Sequence, residues 1–135
     1  MELHSITVSV ENIDLAIDFY TKKLYFKKKK DISKIHKKTK TQHRKVSLVS
    51  TKSPSIKIIF STLANSFKPL TIYRKKLFNS GVPYLKFSVH NLEEEYKRLS
   101  EMGVKFSLNP QLIGLSKIAV FSDECGNHIQ INEDV

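Results

Sequence analysis

Two short stretches of the chain alternate apolar with polar side chains and then reach an asparagine. Residues 6–13 and 85–92 align with an offset of 79 positions, so that Ser9 matches Ser88 and Asn12 matches Asn91. Alternation with a period of two is typical of a strand with one buried face, and asparagine is a favoured first residue before a helix. The repeat therefore predicts two copies of one folding unit.

The first copy predicts a unit of β-α-β-β-β order. A strand covers residues 4–10, and a helix capped by Asn12 follows over residues 13–24, where apolar side chains recur at helical spacing. Three further strands are predicted at residues 26–35, 46–50 and 56–61. The lysine-rich segment 36–45 is predicted to be a mobile loop.

The second copy repeats this plan. Its helix is capped by Asn91, continues to Met102 and stops at Gly103. The strands are predicted at residues 84–90, 104–108, 117–122 and 128–132, with a last turn at residues 125–127. One short helix is predicted near residues 71–78, between the two copies.

The predicted fold class is α+β, with two tandem βαβββ modules forming a curled mixed sheet. We expect a single domain over residues 1–135, made of module 1–62 and module 83–135 joined by connector 63–82. A chain of 135 residues with 40% hydrophobic content can bury such a core.

Composition limits the cellular compartment and the kinds of site that we expect for this protein. No apolar run is long enough to span a membrane, and the first four residues do not begin a secretion signal. Cys125 is the only cysteine, which excludes an internal disulfide and a cysteine-based zinc site. These features predict a soluble, cytoplasmic protein.

The net charge of +10 is concentrated in one segment. Residues 22–45 hold twelve basic side chains and one acid, Asp31, and the rest of the chain is nearly neutral. Such a field could attract a polyanion such as nucleic acid or a membrane surface. Because eleven of the twelve are lysines and only Tyr25 and Phe26 are aromatic, we favour a solvated surface over a nucleic-acid partner.

Three motifs in order resemble a known family. The first comprises Val10-Glu11-Asn12-Ile13, Ala16, Phe19-Tyr20 and Leu24-Tyr25-Phe26; the second is the strand-to-helix repeat that reaches Met102-Gly103; the third runs from Phe121 to Gln130. Together they resemble the vicinal oxygen chelate superfamily of glyoxalases, bleomycin-resistance proteins and extradiol dioxygenases. The resemblance implies two modules side by side around a ligand cleft, and a homodimer.

Metal-dependent members of that superfamily hold a cation with His, Glu or Gln on the first and last strands of each module. The resemblance places Ser5 and Tyr84 at the first-strand positions, and Gln130 and a residue near Lys57 or Ile59 at the last-strand positions. Only Gln130 is of a type that binds such a cation, so we expect no metal cofactor. The alternative is one divalent metal ion, which would require the first strand to be shifted by one residue so that His4 took the ligand position. Alternation opposes this shift, because His4 shares parity with the apolar face and suits a strand-edge or partly buried position better.

The same alternation defines candidates for the cleft. If the apolar faces lie under the helices, the opposite faces carry mostly hydroxyl, amide, imidazole and ammonium groups. These candidates are Ser5, Thr7, Ser9, Tyr84, Lys86, Ser88, His90, His128, Gln130 and Asn132, with Lys57 included only if its strand keeps the odd-numbered face inward. They suit a small ligand bearing hydroxyl, carboxylate or phosphate groups, although such residues could equally line a wet groove.

Catalytic residues cannot be assigned from this pattern. His128 and Gln130 point the same way, so His128 could act as an acid or base, but no acidic partner is evident. Cys125 occupies a turn, where its thiol could be exposed and oxidisable.

Three functions follow, of which we favour the first. It is a metal-free protein that binds and sequesters a small polar or anionic molecule. The second is a metal-dependent lyase, isomerase or dioxygenase, and the third is a polyanion-binding module that uses segment 22–45.

Overall fold

The computed structural model of the protein describes residues 1–35 and 37–134. Its contacts divide the chain into two compact units, Met1–Tyr73 and Arg74–Val135. Each unit contains one four-stranded mixed sheet and follows the β-α-β-β-β order that the repeat predicted.

The first unit begins with the repeated elements. They are β1 (Ser5–Thr7), α1 (Ile13–Lys22), β2 (Lys27–Ile35), β3 (Gln42–Val49) and β4 (Lys57–Ser61). The strand order is β1-β4-β3-β2, with β1 parallel to β4 and the other neighbours antiparallel. Placing β1 beside β4 requires a crossover, which α1 and the β2–β3 pair provide.

Helix α1 packs on one face of this sheet. Its start is capped by Asn12, whose side-chain oxygen accepts a 3.0 Å hydrogen bond from the Leu15 backbone N–H. Tyr20 is fully buried, and its ring meets the ring of Phe60 edge-on with centroids 5.3 Å apart. Val46 and Leu48 lie on the same face of the sheet and are also fully buried, so the core of this unit lies between α1 and the sheet.

Two helices follow β4. They are α2 (Thr62–Ser66) and α3 (Lys68–Asn79), and the boundary between the two units falls within α3. The side chain of Asn65 accepts a 3.1 Å hydrogen bond from the Val10 backbone N–H, which satisfies that N–H beyond the end of β1. The prediction of one short helix here was incomplete, because α3 is longer than expected and α2 precedes it.

The second unit repeats the arrangement. Its elements after α3 are β5 (Pro83–Ser88), α4 (Leu92–Glu101), β6 (Phe106–Ile113), β7 (Ser116–Ser122) and β8 (His128–Asp134). The strand order is β5-β8-β7-β6, and β5 is parallel to β8. This is the order of the first sheet, strand for strand.

Helix α4 is capped by an asparagine, as α1 is. Asn91 caps it by accepting a 3.2 Å hydrogen bond from the Glu94 backbone N–H, and three glutamates occupy its first turn, where the helix dipole favours them. The chain leaves α4 through Gly103 at φ +85, a conformation that glycine adopts without strain. Leu92 and Leu99 on α4 and Phe121 and Ile129 on the sheet are buried, giving this unit its own core.

One sequence prediction was wrong, because residues 36–45 are not a loop. Gln42–Lys45 belong to β3 and pair with Ile32–Ile35 of β2, while residues 37–41 form the turn; His36 lies outside the described residues. Every residue of β2 is exposed. Backbone pairing with β2 rather than burial makes Gln42–Lys45 part of a strand, so hydrophobic alternation gave no sign of this half of β3, whereas β2 itself was predicted.

Smaller differences concern the ends of strands. β1 is shorter than predicted, although Val8 N–H still donates to Ile59 C=O, and β6 extends five residues further than residue 108. No helix among the described residues has the length and hydropathy of a membrane span. The single-domain division into modules 1–62 and 83–135 stays a prediction.

The repeated asparagine caps can be tested in the second unit. Replacing Asn91 with alanine removes the acceptor of the Glu94 N–H, and we expect the free energy of unfolding to fall by about 1 kcal/mol. The measurement is urea unfolding followed by circular dichroism.

Asn91→Ser is the matched control, because serine keeps a side-chain oxygen at the cap. It should lose no more than about 0.5 kcal/mol. Equal losses in the two variants would show that the side-chain acceptor does not stabilise α4.

Candidate functional site

The polar positions predicted from β1 lie on the sheet face away from α1. Ser5 pairs with Lys57 and Thr7 pairs with Ile59 across the parallel β1–β4 ladder. Directly paired residues share a face, and the next residue along each strand points to the opposite one. Lys57 therefore lies on the same face as Ser5 and Thr7. Alternation within the strand had left open which face Lys57 occupies.

This face continues across β3 and β2. Ile59 pairs with Ser47, and Ser47 pairs with Lys30. At its outer end Ile32 pairs with Lys45, and Lys34 pairs with His43. We call the strand positions on this side the basic face; its cationic members are Lys27, Lys30, Lys34, Lys45 and Lys57, joined by His43.

No acidic residue occupies any described strand position of the basic face. Near the centre of the basic face the side chains of Ser47, Val49 and Ile59 are buried. Lys57 beside them is half-buried, whereas the lysines of β2 are exposed. The basic face is therefore partly buried and carries hydroxyl groups near its centre, and it is exposed and positively charged at its outer edge.

Asp31 and Asp14 meet the first sheet on its α1 side. Arg44 of β3 donates to both carboxylate oxygens of Asp31, at 2.9 Å and 2.7 Å, and to Asp14 of α1 at 2.7 Å. Lys28 lies 3.7 Å from the same Asp31 carboxylate. These ion pairs connect α1, β2 and β3.

The charges in this cluster stabilise one another. The hydrogen bond from Arg44 holds the pKa of Asp31 below its ordinary value of 3.8, against an opposing effect of partial burial. Hydrogen bonds to Asp31 and then Asp14 raise the pKa of Arg44 above its already high value. The guanidinium is therefore always charged and is occupied by its two carboxylates.

An open depression of about 460 Å³ adjoins this cluster. Its lining is polar and consists of Asp31, Ser33, Gln42, Arg44 and Thr62. The strand residues among them lie on the α1 side, opposite the basic face. Because its acid and its guanidinium neutralise each other, the depression offers a ligand little net charge, and it differs from the predicted cleft.

Strands β5 and β8 of the second sheet also carry polar side chains on the face away from α4. Lys86 pairs with Gln130, and Ser88 pairs with Asn132. The Gln130 side-chain amide donates a 2.8 Å hydrogen bond to the Asn132 side-chain oxygen. Tyr84 lies at the irregularity between Pro83 and Leu85, where the ladder shifts register, so its parity does not place it in this row.

His128 is engaged in a structural contact that the sequence did not suggest. Its ring stacks on Phe78 with centroids 4.5 Å apart, and its Nε2 lies 3.0 Å from the Phe78 carbonyl oxygen. A carbonyl can only accept, so Nε2 carries the proton. Nδ1 is buried and has no hydrogen-bond partner among the described residues. This arrangement fastens β8 to the end of α3 and argues against an acid or base role.

Two other candidates lie elsewhere than predicted. Ser9 is past the end of β1 and fully buried, and His90 is exposed beyond the end of β5. Cys125 lies in the predicted turn but is only 1% exposed, so its thiol is buried and not open to oxidation from solvent. The reason is the compact turn around Asp123, whose buried carboxylate accepts hydrogen bonds from the backbone N–H groups of Cys125 and Asn127.

The donor groups at the family's metal positions do not fit a divalent cation. The partner of Ser5 is the ammonium-bearing Lys57, and Tyr84 supplies a phenol. Gln130 alone offers an amide oxygen, and His4 is exposed and precedes β1. The described residues contain no group of three or more His, Cys, Asp or Glu able to hold a metal.

Sequence reasoning missed the outer part of the basic face. Lys30, Lys34 and Lys45 join it only through the β2–β3 register. The sequence did show that this segment is rich in lysine. Because residues 36–45 were predicted to be a loop, it did not show which lysines share a face of the sheet.

Comparisons with known proteins agree with this architecture. The chain matches the Glyoxalase/Bleomycin resistance protein/Dioxygenase superfamily over residues 2–131. It is 36% identical to the uncharacterized protein YurT of Bacillus subtilis (strain 168) over 132 residues, covering 97% of this chain and 98% of that protein.

Two solved structures share the fold. UcmS2 has a TM-score of 0.79 at 23% identity, covering 98% of this chain and 97% of that chain. TnmS3, described as an antibiotic binding protein from Streptomyces sp. CB03234, has a TM-score of 0.75 at 19% identity, covering 100% of this chain and 97% of that chain.

The Arg44 cluster predicts a pH dependence of stability. Because the folded state lowers the Asp31 pKa, this carboxylate stabilises the protein above its ordinary pKa of 3.8, and the contribution is lost as pH falls through the folded pKa. Asp31→Asn should cost about 1 kcal/mol at pH 7. It should also flatten the decline of stability at acid pH, as measured by urea unfolding between pH 7 and pH 3.

Asp18→Asn serves as the control. Asp18 faces Lys22 at 3.6 Å on the exposed surface of α1, where screening leaves an ion pair little value. Its unfolding curve should parallel that of the unaltered protein at each pH. If Asp31→Asn also ran parallel to the unaltered protein, the Arg44 cluster would not be a source of acid sensitivity.

Proposed function

The chain belongs to the glyoxalase/bleomycin resistance protein/dioxygenase superfamily, and we propose that within it the protein is a metal-free binder that sequesters a small polar or anionic molecule. The observation that carries this proposal is the side-chain chemistry of the basic face. Ammonium and hydroxyl groups lie together there without any acid at the described strand positions.

Lys57 and Ser5 form the centre of the proposed first subsite. Their pairing places an ammonium and a hydroxyl on one face, next to the buried Ser47 and Ile59. Partial burial lowers the local dielectric, so a charge-assisted hydrogen bond from Lys57 to a carboxylate or phosphate is stronger than on an open surface. A cationic ligand would meet repulsion at the same place.

The second unit supports a subsite of similar chemistry. Lys86, Ser88 and Gln130 lie on the side of their sheet away from α4, and Gln130 is oriented by its hydrogen bond to Asn132. An oriented amide supplies directional contacts and the exposed Lys86 adds positive charge. We take Ser5, Thr7 and Lys57 as the binding residues of the first unit, and Lys86, Ser88 and Gln130 as those of the second.

A binding role agrees with the description of the structural neighbour TnmS3 as an antibiotic binding protein. The identity between the chains is too low for the ligand to be transferred, so the chemistry of the ligand comes from the basic face alone. The homodimer and the cytoplasmic location remain predictions.

A metal-dependent lyase, isomerase or dioxygenase is the competing proposal. It is less favoured because the position opposite Ser5 holds an ammonium, which repels a divalent cation. Nor does His128 of β8 offer an acid or base, since its Nε2 proton is directed to the Phe78 carbonyl.

A ligand screen by thermal shift tests the proposal. The panel should contain phosphate monoesters and carboxylates, matched neutral polyols, and primary amines. We expect stabilisation by one or more anions and none by the amines; a ligand at 100 times its Kd contributes about 2.7 kcal/mol of stability.

Lys57→Gln should weaken binding of any anion found in this screen by about tenfold, the loss of one charge-assisted hydrogen bond. Lys52→Gln, an exposed lysine of the preceding loop, is the control and should bind as the unaltered protein does. Stabilisation by amines alone, or an unchanged affinity in Lys57→Gln, would contradict the proposed subsite.

Metal ions provide a separate test. The untagged protein should purify without stoichiometric metal, and titration with nickel, zinc, manganese or iron ions should leave its melting temperature unchanged. Stabilisation by one of these ions at micromolar concentration would overturn the metal-free assignment and favour the enzymatic alternative.

A further inference from the structure

The β2–β3 strand pair extends past the rest of the first sheet. β4 pairs with β3 only from Lys45 to Val49, whereas β2 pairs with β3 as far as Gln42. No described strand therefore lies beside the end of this pair on the β4 side, where the turn at residues 37–41 joins β2 to β3. We call residues 27–35 and 37–45 the lysine ribbon.

Eight lysines of the lysine ribbon are both exposed and unpaired. Among the described residues, no ion pair joins any of them to an acid. They are Lys27, Lys29, Lys30, Lys34, Lys37, Lys38, Lys40 and Lys45.

The acid within the ribbon does not offset this charge. Asp31 lies on the α1 side, where Arg44 binds both of its oxygens and Lys28 lies nearby. The basic face on the other side keeps its full positive charge. An excess of this kind raises the local concentration of anions and strengthens as ionic strength falls.

From this arrangement we propose that the lysine ribbon binds the phosphate backbone of nucleic acid. The seven residue steps from Lys27 to Lys34 span about 23 Å at about 3.3 Å per residue. That length exceeds what one small ligand can cover, whereas duplex DNA offers one negative charge per about 1.7 Å of its axis. A linear array of lysines complements a linear array of phosphates.

The residue types imply contact with phosphates alone. Arg44 is the one arginine of the ribbon, and its guanidinium is bound to Asp31 and Asp14, so it cannot pair with a guanine edge. Apart from the imidazole of His43, the described strand positions of the basic face hold no aromatic ring on which an unpaired base could stack. Binding is therefore independent of sequence, steeply dependent on salt, and directed to duplex rather than single strands.

A membrane surface is the less suitable partner. Peripheral membrane segments combine lysines with several apolar or aromatic side chains that enter the lipid. On the exposed part of the basic face, Ile32 alone among the described strand residues is a large apolar side chain, and it is 46% exposed.

Fluorescence anisotropy with a labelled 24-base-pair DNA duplex tests the proposal between 50 and 200 mM NaCl. The variant Lys30, Lys34, Lys45→Gln removes three charges from the basic face and leaves the Arg44 cluster intact. We expect it to bind about tenfold or more weakly at low salt, and its slope of log K against log salt to be smaller by about 2.7, or about 0.9 per contact. A second duplex of unrelated sequence should bind the unaltered protein equally well.

The matched control is Lys75, Lys97, Lys105→Gln, which removes three exposed lysines from outside the ribbon and so has the same net charge as the first triple variant. It should retain binding, and the melting temperatures of both triple variants should equal that of the unaltered protein. Equal losses in the two variants would show that net charge alone is responsible and would overturn the proposal. Absence of duplex binding at 50 mM salt, or binding to anionic phospholipid vesicles instead, would also overturn it.

Discussion

In each unit a capped helix, α1 or α4, covers one face of a four-stranded sheet, and the contact between Tyr20 and Phe60 is the centre of that packing in the first unit. Because side chains alternate along a strand, burying one face under a helix fixes what the other face can carry. Ile6, Ile58 and Phe60 take the helix side, which leaves Ser5, Thr7 and Lys57 on the other. The chemistry available to a ligand follows from this packing.

The distribution of charge depends on the same constraint. Asp31 and Arg44 have the parity of the helix side, and there Arg44 can reach Asp14 of α1. Their ion pairs therefore stabilise the joint between helix and sheet. The lysines of opposite parity have no acid directly across the ladder, so one face of the sheet is nearly neutral and the other is positively charged.

Helices α1 and α4 and the order of the repeated elements could be predicted from sequence because their signals are local. Asn12 and Asn91 each precede an apolar pattern, and each caps a helix. The extent of β3 was not open to prediction in this way. Gln42–Lys45 bury no hydrophobic face, and only pairing with β2 makes them a strand. The same limitation hid the outer half of the basic face, and the contacts of His128 and Cys125 came from α3 and the Asp123 turn, which parity within a strand cannot reveal.

The sequence by itself determined the duplicated βαβββ plan, the capped helices, and the parity that separates Ser5, Thr7 and Lys86 from the core. These features depend on residues close together in the chain, whose spacing encodes strand and helix periods directly. Only the tertiary structure decided that Lys57 faces the same way as Ser5, that Lys30, Lys34 and Lys45 extend this face, and that the ring of His128 rests on Phe78. The reason is physical: strand register and packing between elements are set by partners distant in sequence, and a shift of one residue would have reversed every face.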